Sequence, residues 1–193
     1  SLLKMKKDNW IIKAFLMTFF IALIFNAVTN VVINKCNYVA LIVFSILFII
    51  LGIIFDIIGT AVLTAKESSF HAKCSKKIKG SKESINLIKN SNQIASICND
   101  VIGDICGIVS GSVGAMLSIY MSNLLKIDVV YVTLFISSII SSLTVGGKAI
   151  GKKFAVKNSD SIIFLVGKII SKFKRKEKRS KRFFFTKKNT FKR

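Results

Sequence analysis

Apolar positions along this chain form long unbroken runs rather than alternating with polar ones. Between Lys13 and Lys35 lie 21 residues without a charge; from Tyr38 to Ala65 only Asp56 is charged, from Asn90 to Leu125 only Asp100 and Asp104, and from Val129 to Gly147 none. A helix needs about 20 predominantly apolar residues to cross roughly 30 Å of hydrocarbon, so each run is long enough to span. The third exceeds one span, and its polar start predicts a membrane segment from about Ile94 to about Tyr120. Barrel strands would alternate in segments of about ten residues, and these runs do not. The first run outlasts the usual apolar stretch of about 7 to 15 residues in a secretory signal, with no clean small-residue cleavage pattern after it, so it is expected to persist as a helix. The predicted fold class is an all-α membrane protein of four transmembrane helices plus cytoplasmic juxtamembrane helices.

Composition supports this reading through segregation of charge. The 193 residues are 52% hydrophobic, yet carry 30 Lys+Arg against 9 Asp+Glu, a formal net charge of +21, with mean hydropathy +0.57. In a membrane protein the apolar residues face lipid while the basic ones collect in loops. Lys4, Lys6, Lys7 and Lys13 precede the first helix, whereas the connections at 34–38 and 121–128 hold one lysine each, Lys35 and Lys126. Seven lysines follow the second helix, and everything after Lys148 is densely basic. Cytoplasmic loops carry the Lys/Arg excess, so inside and outside alternate without conflict, and both termini are expected in the cytoplasm of a cell with an inner membrane. Cys98 and Cys106 fall within the third helix, Cys74 in a cytoplasmic loop and Cys36 outside, which implies no disulfide framework.

Carboxylates at membrane depth are the informative residues, because an unpaired charge there is unfavourable by at least about 2.5–3.5 kcal/mol. At 100° per residue Asp100 and Asp104 share one face of the third helix, with Ser96, Gly107, Gly111 and Gly114 within about 40° of Asp100. Gly103, Gly107 and Gly111 repeat at four-residue spacing, which suits close helix packing. Gly52, Asp56, Gly59 and Thr60 share a face of the second helix; Thr133, Ser137, Ser141 and Thr144 share one of the fourth, with Lys148 following. At about 1.5 Å per residue Asp56 and Asp104 lie at similar depths, roughly 14–15 Å in, where they could meet in one cluster. Carboxylates and hydroxyls without His or Cys pairs suit hard cations such as Mg²⁺ or Na⁺. The competing reading is plain helix packing, with Lys148 or backbone donors neutralising the acids. The single His71 is expected to be solvated.

The stretch Leu63-Thr64-Ala65-Lys66-Glu67-Ser68-Ser69-Phe70 resembles the F-S-A-S-E-T-A-L type of signature in the CNNM/CorC transmembrane domain family, with Glu67 on its Glu. Cys98-Asn99-Asp100-Val101-Ile102-Gly103 resembles the family's G-N-x-x-x-N stretch, with Asn99 on the first Asn. Gly147-Lys148-Ala149-Ile150-Gly151-Lys152 falls where the family has G-E-x-x-P-K. The resemblance implies a three-helix domain over 38–170, an additional helix in 1–37, and membership of a dimeric group linked to Mg²⁺ transport or efflux, possibly Na⁺-coupled. Departures accompany it: Lys148 replaces the Glu tied to the family's cation site, Gly103 the second Asn and Gly151 the Pro, and the family's nucleotide-sensing CBS and CorC-type domains are not expected here.

The expected function is therefore that of a divalent-cation transporter or efflux protein, the alternative being a non-transporting scaffold or regulatory partner. Candidate cation-binding or pathway residues are Asp56, Thr60, Thr64, Asn99, Asp100, Asp104, Ser137 and Ser141. No phosphate loop or nucleophile–base pair indicates an enzyme. From Lys172 to Arg193 the tail of 171–193 holds 12 Lys/Arg and one acid interleaved with Phe. Lys174, Arg175, Lys176, Lys178, Arg179, Lys181 and Arg182 are the expected contacts to an anionic inner leaflet, a partner favoured over nucleic acid because it lies beside the tail. Residues 159–172 read as a capped amphipathic helix on that surface.

Overall fold

The computed structural model describes the backbone of residues 2–35 and 37–190, and side-chain environments at 12, 14–31 and 37–174. Cys36 and the side chains of Arg175, Lys176, Lys178, Arg179, Lys181 and Arg182 lie outside the described set. Every described element is helical: α1 (Leu2–Lys35), α2 (Tyr38–Thr64), α3 (Ser68–Ser75), α4 (Ser81–Lys89), α5 (Ser91–Leu125), α6 (Val129–Lys157) and α7 (Ser159–Thr190). Four are long and apolar enough to cross a membrane, over Ala14–Val31 within α1 and over the whole of α2, α5 and α6. The chain is an all-α, multi-pass membrane protein.

Two boundaries differ from expectation. The third span is part of a continuous helix from Ser91 to Leu125 that contains a π-helical turn at Ile97–Ile102. The amphipathic helix expected at 159–172 continues to Thr190, because strong helix formers such as Lys, Arg and Glu fill the tail and nothing in it breaks a helix. Its Asp160 does not act on its own helix alone: Oδ1 accepts from the Lys66 backbone N–H at 3.1 Å, tying the start of α7 to the end of α2.

The spans α2, α5 and α6 pack on one another. Phe48, Val101, Ile105, Cys106 and Val109 form one buried cluster between α2 and α5, with Leu41, Val113 and Leu117 continuing it towards the α5–α6 connection. That connection is tight: Lys126 takes a left-handed backbone (φ 56°), Ser122 Oγ donates to Ile127 O at 2.7 Å, and Asp128 caps α6 by accepting from Val130 N at 2.9 Å. At the opposite, basic end, Ala61, Val62, Phe70, Ala95, Ala155 and Ile163 join α2, α3, α5, α6 and α7 in another cluster. The helix α1 is peripheral. It rests on α5 and α2 through Met17, Ile21, Ala22 and Phe25, the last edge-on to Phe48 at 5.6 Å, and only 6% of its apolar window is enclosed.

Candidate functional site

Glycines decide how closely α2 meets its neighbours. A Cβ at Gly59 would overlap the carboxamide of Asn99, so the absence of a side chain there creates the notch that Asn99 fills. Asn99 belongs to the π turn of α5. Such a turn inserts an extra residue per turn and re-aims side chains, and π turns are found frequently at functional positions. On α6, Gly147 and Gly151 receive Ile53 and Ile57 of α2, which brings the basic end of α6 alongside Asp56.

Asp56 is 3% exposed. Its Oδ1 lies 3.9 Å from Lys152 Nζ, whose side chain is half exposed, while Oδ2 is buried without a hydrogen-bond partner among the described residues. Asn99 Oδ1 is likewise buried and unpartnered. Asp56 and Gly59 stand three apart on α2, so the notch holding Asn99 is the next position along the Asp56 face. The two unpartnered atoms are both acceptors. Buried acceptors without donors are disfavoured by about 1–3 kcal/mol each, so this is the point in the bundle most in need of a proton, a donor or a cation.

The other expected residues are distributed differently. Asp104 is 68% exposed on the outer side of α5, with Lys148 Nζ 4.0 Å from its Oδ1. Asp100 is exposed as well and accepts from Ser96 Oγ at 2.8 Å. The single cluster of carboxylates expected from equal depth therefore does not form. Asp56 is buried in the bundle, whereas Asp100 and Asp104 are exposed on α5. Among the described residues no group of three or more His, Cys, Asp or Glu is placed to hold a metal.

The small face of α5 is split, with Gly114 buried against Ile136 and Ile140 of α6. Gly103 is buried near the Cys98 carbonyl and Lys148, whereas Cβ atoms at Gly107 and Gly111 would meet no atom of the described residues within 4 Å. The packed face of α5 is instead the one with Val101, Ile105, Cys106, Val109 and Val113. Ser137 and Ser141 of α6 are exposed, Ser137 Oγ bonding its own helix at Leu134 O (3.2 Å), and so they do not line the α2–α5 contact. Thr60 is half-buried; its carbonyl accepts from the exposed Thr64 Oγ1 at 3.0 Å. Glu67 pairs with His71 (3.3 Å) and Lys89 (3.7 Å), joining α4 to the end of α2, so His71 has a carboxylate neighbour in addition to solvent.

Lys152 is the residue that sequence reasoning passed over. It lies one turn beyond Lys148, and the parallel spacing of Gly147 and Gly151 put both lysines on the α2–α5 side of α6. Comparison with known proteins returns no matching family model, no matching curated protein and no matching solved structure.

Proposed function

We propose that this membrane protein binds and moves a cation through its α2–α5–α6 unit, with Mg²⁺ and Na⁺ as the candidate ions and Asp56 and Asn99 as the central ligands. The observation that carries this reading is the pair of buried, unpartnered acceptors Asp56 Oδ2 and Asn99 Oδ1. Buried oxygen acceptors without a donor are complementary to a hard cation, and ionisable groups within a membrane bundle mark ion paths. Lys152 acts as a tethered counter-ion: its ammonium holds Asp56 Oδ1 when the site is empty and can swing out on its flexible stem when an ion enters. The likeness of the Asn99 and Glu67 segments to the CNNM/CorC signatures supports the same reading, and with it a homodimer.

A second reading has its own observation. Lys148 and Lys152 stand at 4.0 and 3.9 Å from Asp104 and Asp56, so each acid has one ammonium. A set neutralised in this way serves a non-transporting scaffold as well as a carrier, and it disfavours a divalent ion more than a monovalent one. Ion flux into liposomes separates the readings: a carrier moves Mg²⁺ or Na⁺ above the level of empty vesicles and loses this in Asp56→Asn. Flux equal to empty vesicles for the parent chain rejects transport. Ion binding is read independently as a rise in thermal stability on adding Mg²⁺ or Na⁺.

The proposed placement is an inner membrane with both termini and the α3–α4 segment in the cytoplasm, following the Lys/Arg asymmetry of the loops. Impermeant thiol reagents added outside should label Cys36 and spare Cys74.

A further inference from the structure

The chain turns from α3 into α4 through two left-handed backbones, Lys77 (φ 51°) and Gly80 (φ 94°). Gly80 sits so close to α7 that a Cβ there would come within 2.7 Å of the Lys168 backbone nitrogen, and one at Gly167 within 2.6 Å of Gly80 O. Two glycines thus let the backbones touch. Ser84, fully buried, lies in hydrogen-bond reach of Gly80 O (2.9 Å) and Ile163 O (3.1 Å) and locks the same contact. On the α3 side, the ammoniums of Lys73 and Lys168 both lie over the Phe164 ring, 4.7 and 4.5 Å from its centroid.

This rigid junction frames an open cleft of about 850 Å³. Lys77, Lys79, Lys82, Lys168 and Lys172 line it against a single acid, Glu83. Five lysines line the cleft against one carboxylate among the described residues, the Lys168 ammonium being drawn over the Phe164 ring, so like charges crowd there without a matching anion, and their formal excess of four over Glu83 exceeds what a single phosphodiester would neutralise. Beside Lys168 and Lys172, α7 exposes Leu165, Ile169 and Phe173 at four-residue intervals (58, 47 and 70% exposed). A soluble phosphate has no use for that apolar stripe, and a lipid does.

We propose that the cleft between α4 and α7 binds the headgroup of an anionic phospholipid carrying two phosphates, its acyl chains running along Leu165, Ile169 and Phe173. The site is distinct from the Asp56–Asn99 pair and from the basic tail beyond Lys174. The full chain in detergent, titrated with diphosphatidylglycerol or phosphatidylcholine and followed by native mass spectrometry, tests it, with inorganic pyrophosphate as the soluble competitor. The parent protein should retain one diphosphatidylglycerol in preference to phosphatidylcholine. The triple variant Lys82→Gln/Lys168→Gln/Lys172→Gln should bind it about a hundredfold more weakly, each ammonium contributing at an anionic surface, while the matching Lys→Arg variant stays within about threefold of the parent. Tail variants Lys178→Gln/Arg179→Gln/Arg182→Gln should retain the lipid. Helicity of the glutamine variant, checked by circular dichroism, keeps loss of binding apart from loss of fold, and Lys79→Gln/Lys172→Gln provides a milder second variant with about a tenfold effect. Equal retention by parent and triple variant, or equal retention of the neutral lipid, overturns the proposal. Binding of pyrophosphate as tightly as the lipid assigns the cleft to free phosphates and overturns the lipid assignment.

Discussion

Along α2, Ser45, Gly52, Asp56 and Gly59 are buried and a third of the span (33%) is enclosed by protein, whereas along α6 Ser137 and Ser141 are exposed and only 6% of the span is enclosed. Both helices carry small and polar residues at helical spacing. On α2 these residues meet α5 and α6 directly, with Gly52 against Cys106 and Gly59 against Asn99. On α6 the contact to α2 runs instead through Gly147 and Gly151, and the hydroxyls turn back on their own helix: Ser138 to Leu134 O, Ser142 to Ile139 O and Thr144 to Ile140 O. A hydroxyl satisfied by the preceding turn needs no partner helix. Small residues at regular spacing therefore show which faces can approach another backbone, and only a buried acceptor without a donor shows where something else is required.

The largest expected effect comes from filling the α2 notch. Gly59→Val would drive a branched side chain into the Asn99 carboxamide, and overpacking of this kind destabilises by about 1–3 kcal/mol or more. A lower midpoint of thermal unfolding in detergent, with ion-dependent stabilisation lost, is the expected outcome. An unchanged midpoint would mean that α2 and α5 are not held together at Gly59, and that the inward character assigned to α2 is incorrect.

Next in size is Asp56→Asn. This change replaces a buried carboxyl group whose Oδ2 has no donor with an amide that can donate. It should raise stability without added ions by about 1–2 kcal/mol, while abolishing any stabilisation by Mg²⁺ or Na⁺. A rise in one and a loss in the other is the pattern of a site that trades stability for binding. If stability falls instead, the Lys152 pair is a structural clasp and the scaffold reading gains.

How far these differences were legible in the chain depends on which physical term governs them. The spans were readable because crossing hydrocarbon demands an uninterrupted apolar length, and charge cannot hide within it. What counting residues could not supply is rotation about the axis: Asp100 and Asp104 do share one face of α5, but nothing local says whether that face looks in or out. The π turn at Ile97–Ile102 depends on tertiary contacts such as the Asn99–Gly59 fit and leaves no pattern in hydropathy. Lys152 was legible in principle, one turn past Lys148, but Asp56 had first to be seen facing α6. The tight Gly80–Gly167 contact joins residues 87 apart, which no periodicity links.

The outer face of α5 sharpens the comparison at a smaller scale. Cβ atoms at Gly107 and Gly111 would meet no atom of the described residues within 4 Å, so Gly107→Ala/Gly111→Ala should be neutral or stabilising by about 0.5–1 kcal/mol per site through helix propensity. Measured by light scattering in detergent, the same variant reports on the proposed homodimer. Loss of a dimer that the parent forms would place these glycines at its interface, while an unchanged mass would leave them facing lipid.

The smallest effect is expected on α6. Ser137→Ala/Ser141→Ala removes one hydroxyl that bonds Leu134 O at 3.2 Å and another without a hydrogen bond among the described residues, both exposed. Even interhelical hydrogen bonds in membranes average only about 0.6 kcal/mol, and one made within a helix turn is worth less, so the unfolding midpoint should move by under about 0.5 kcal/mol equivalent. Ion flux and ion-dependent stabilisation should be equally untouched, since the proposed cation site lies between α2 and α5. A marked loss of flux with stability unchanged would break the contrast between the two helices: it would place the path along the outer face of α6, where a second copy of the chain would have to close it.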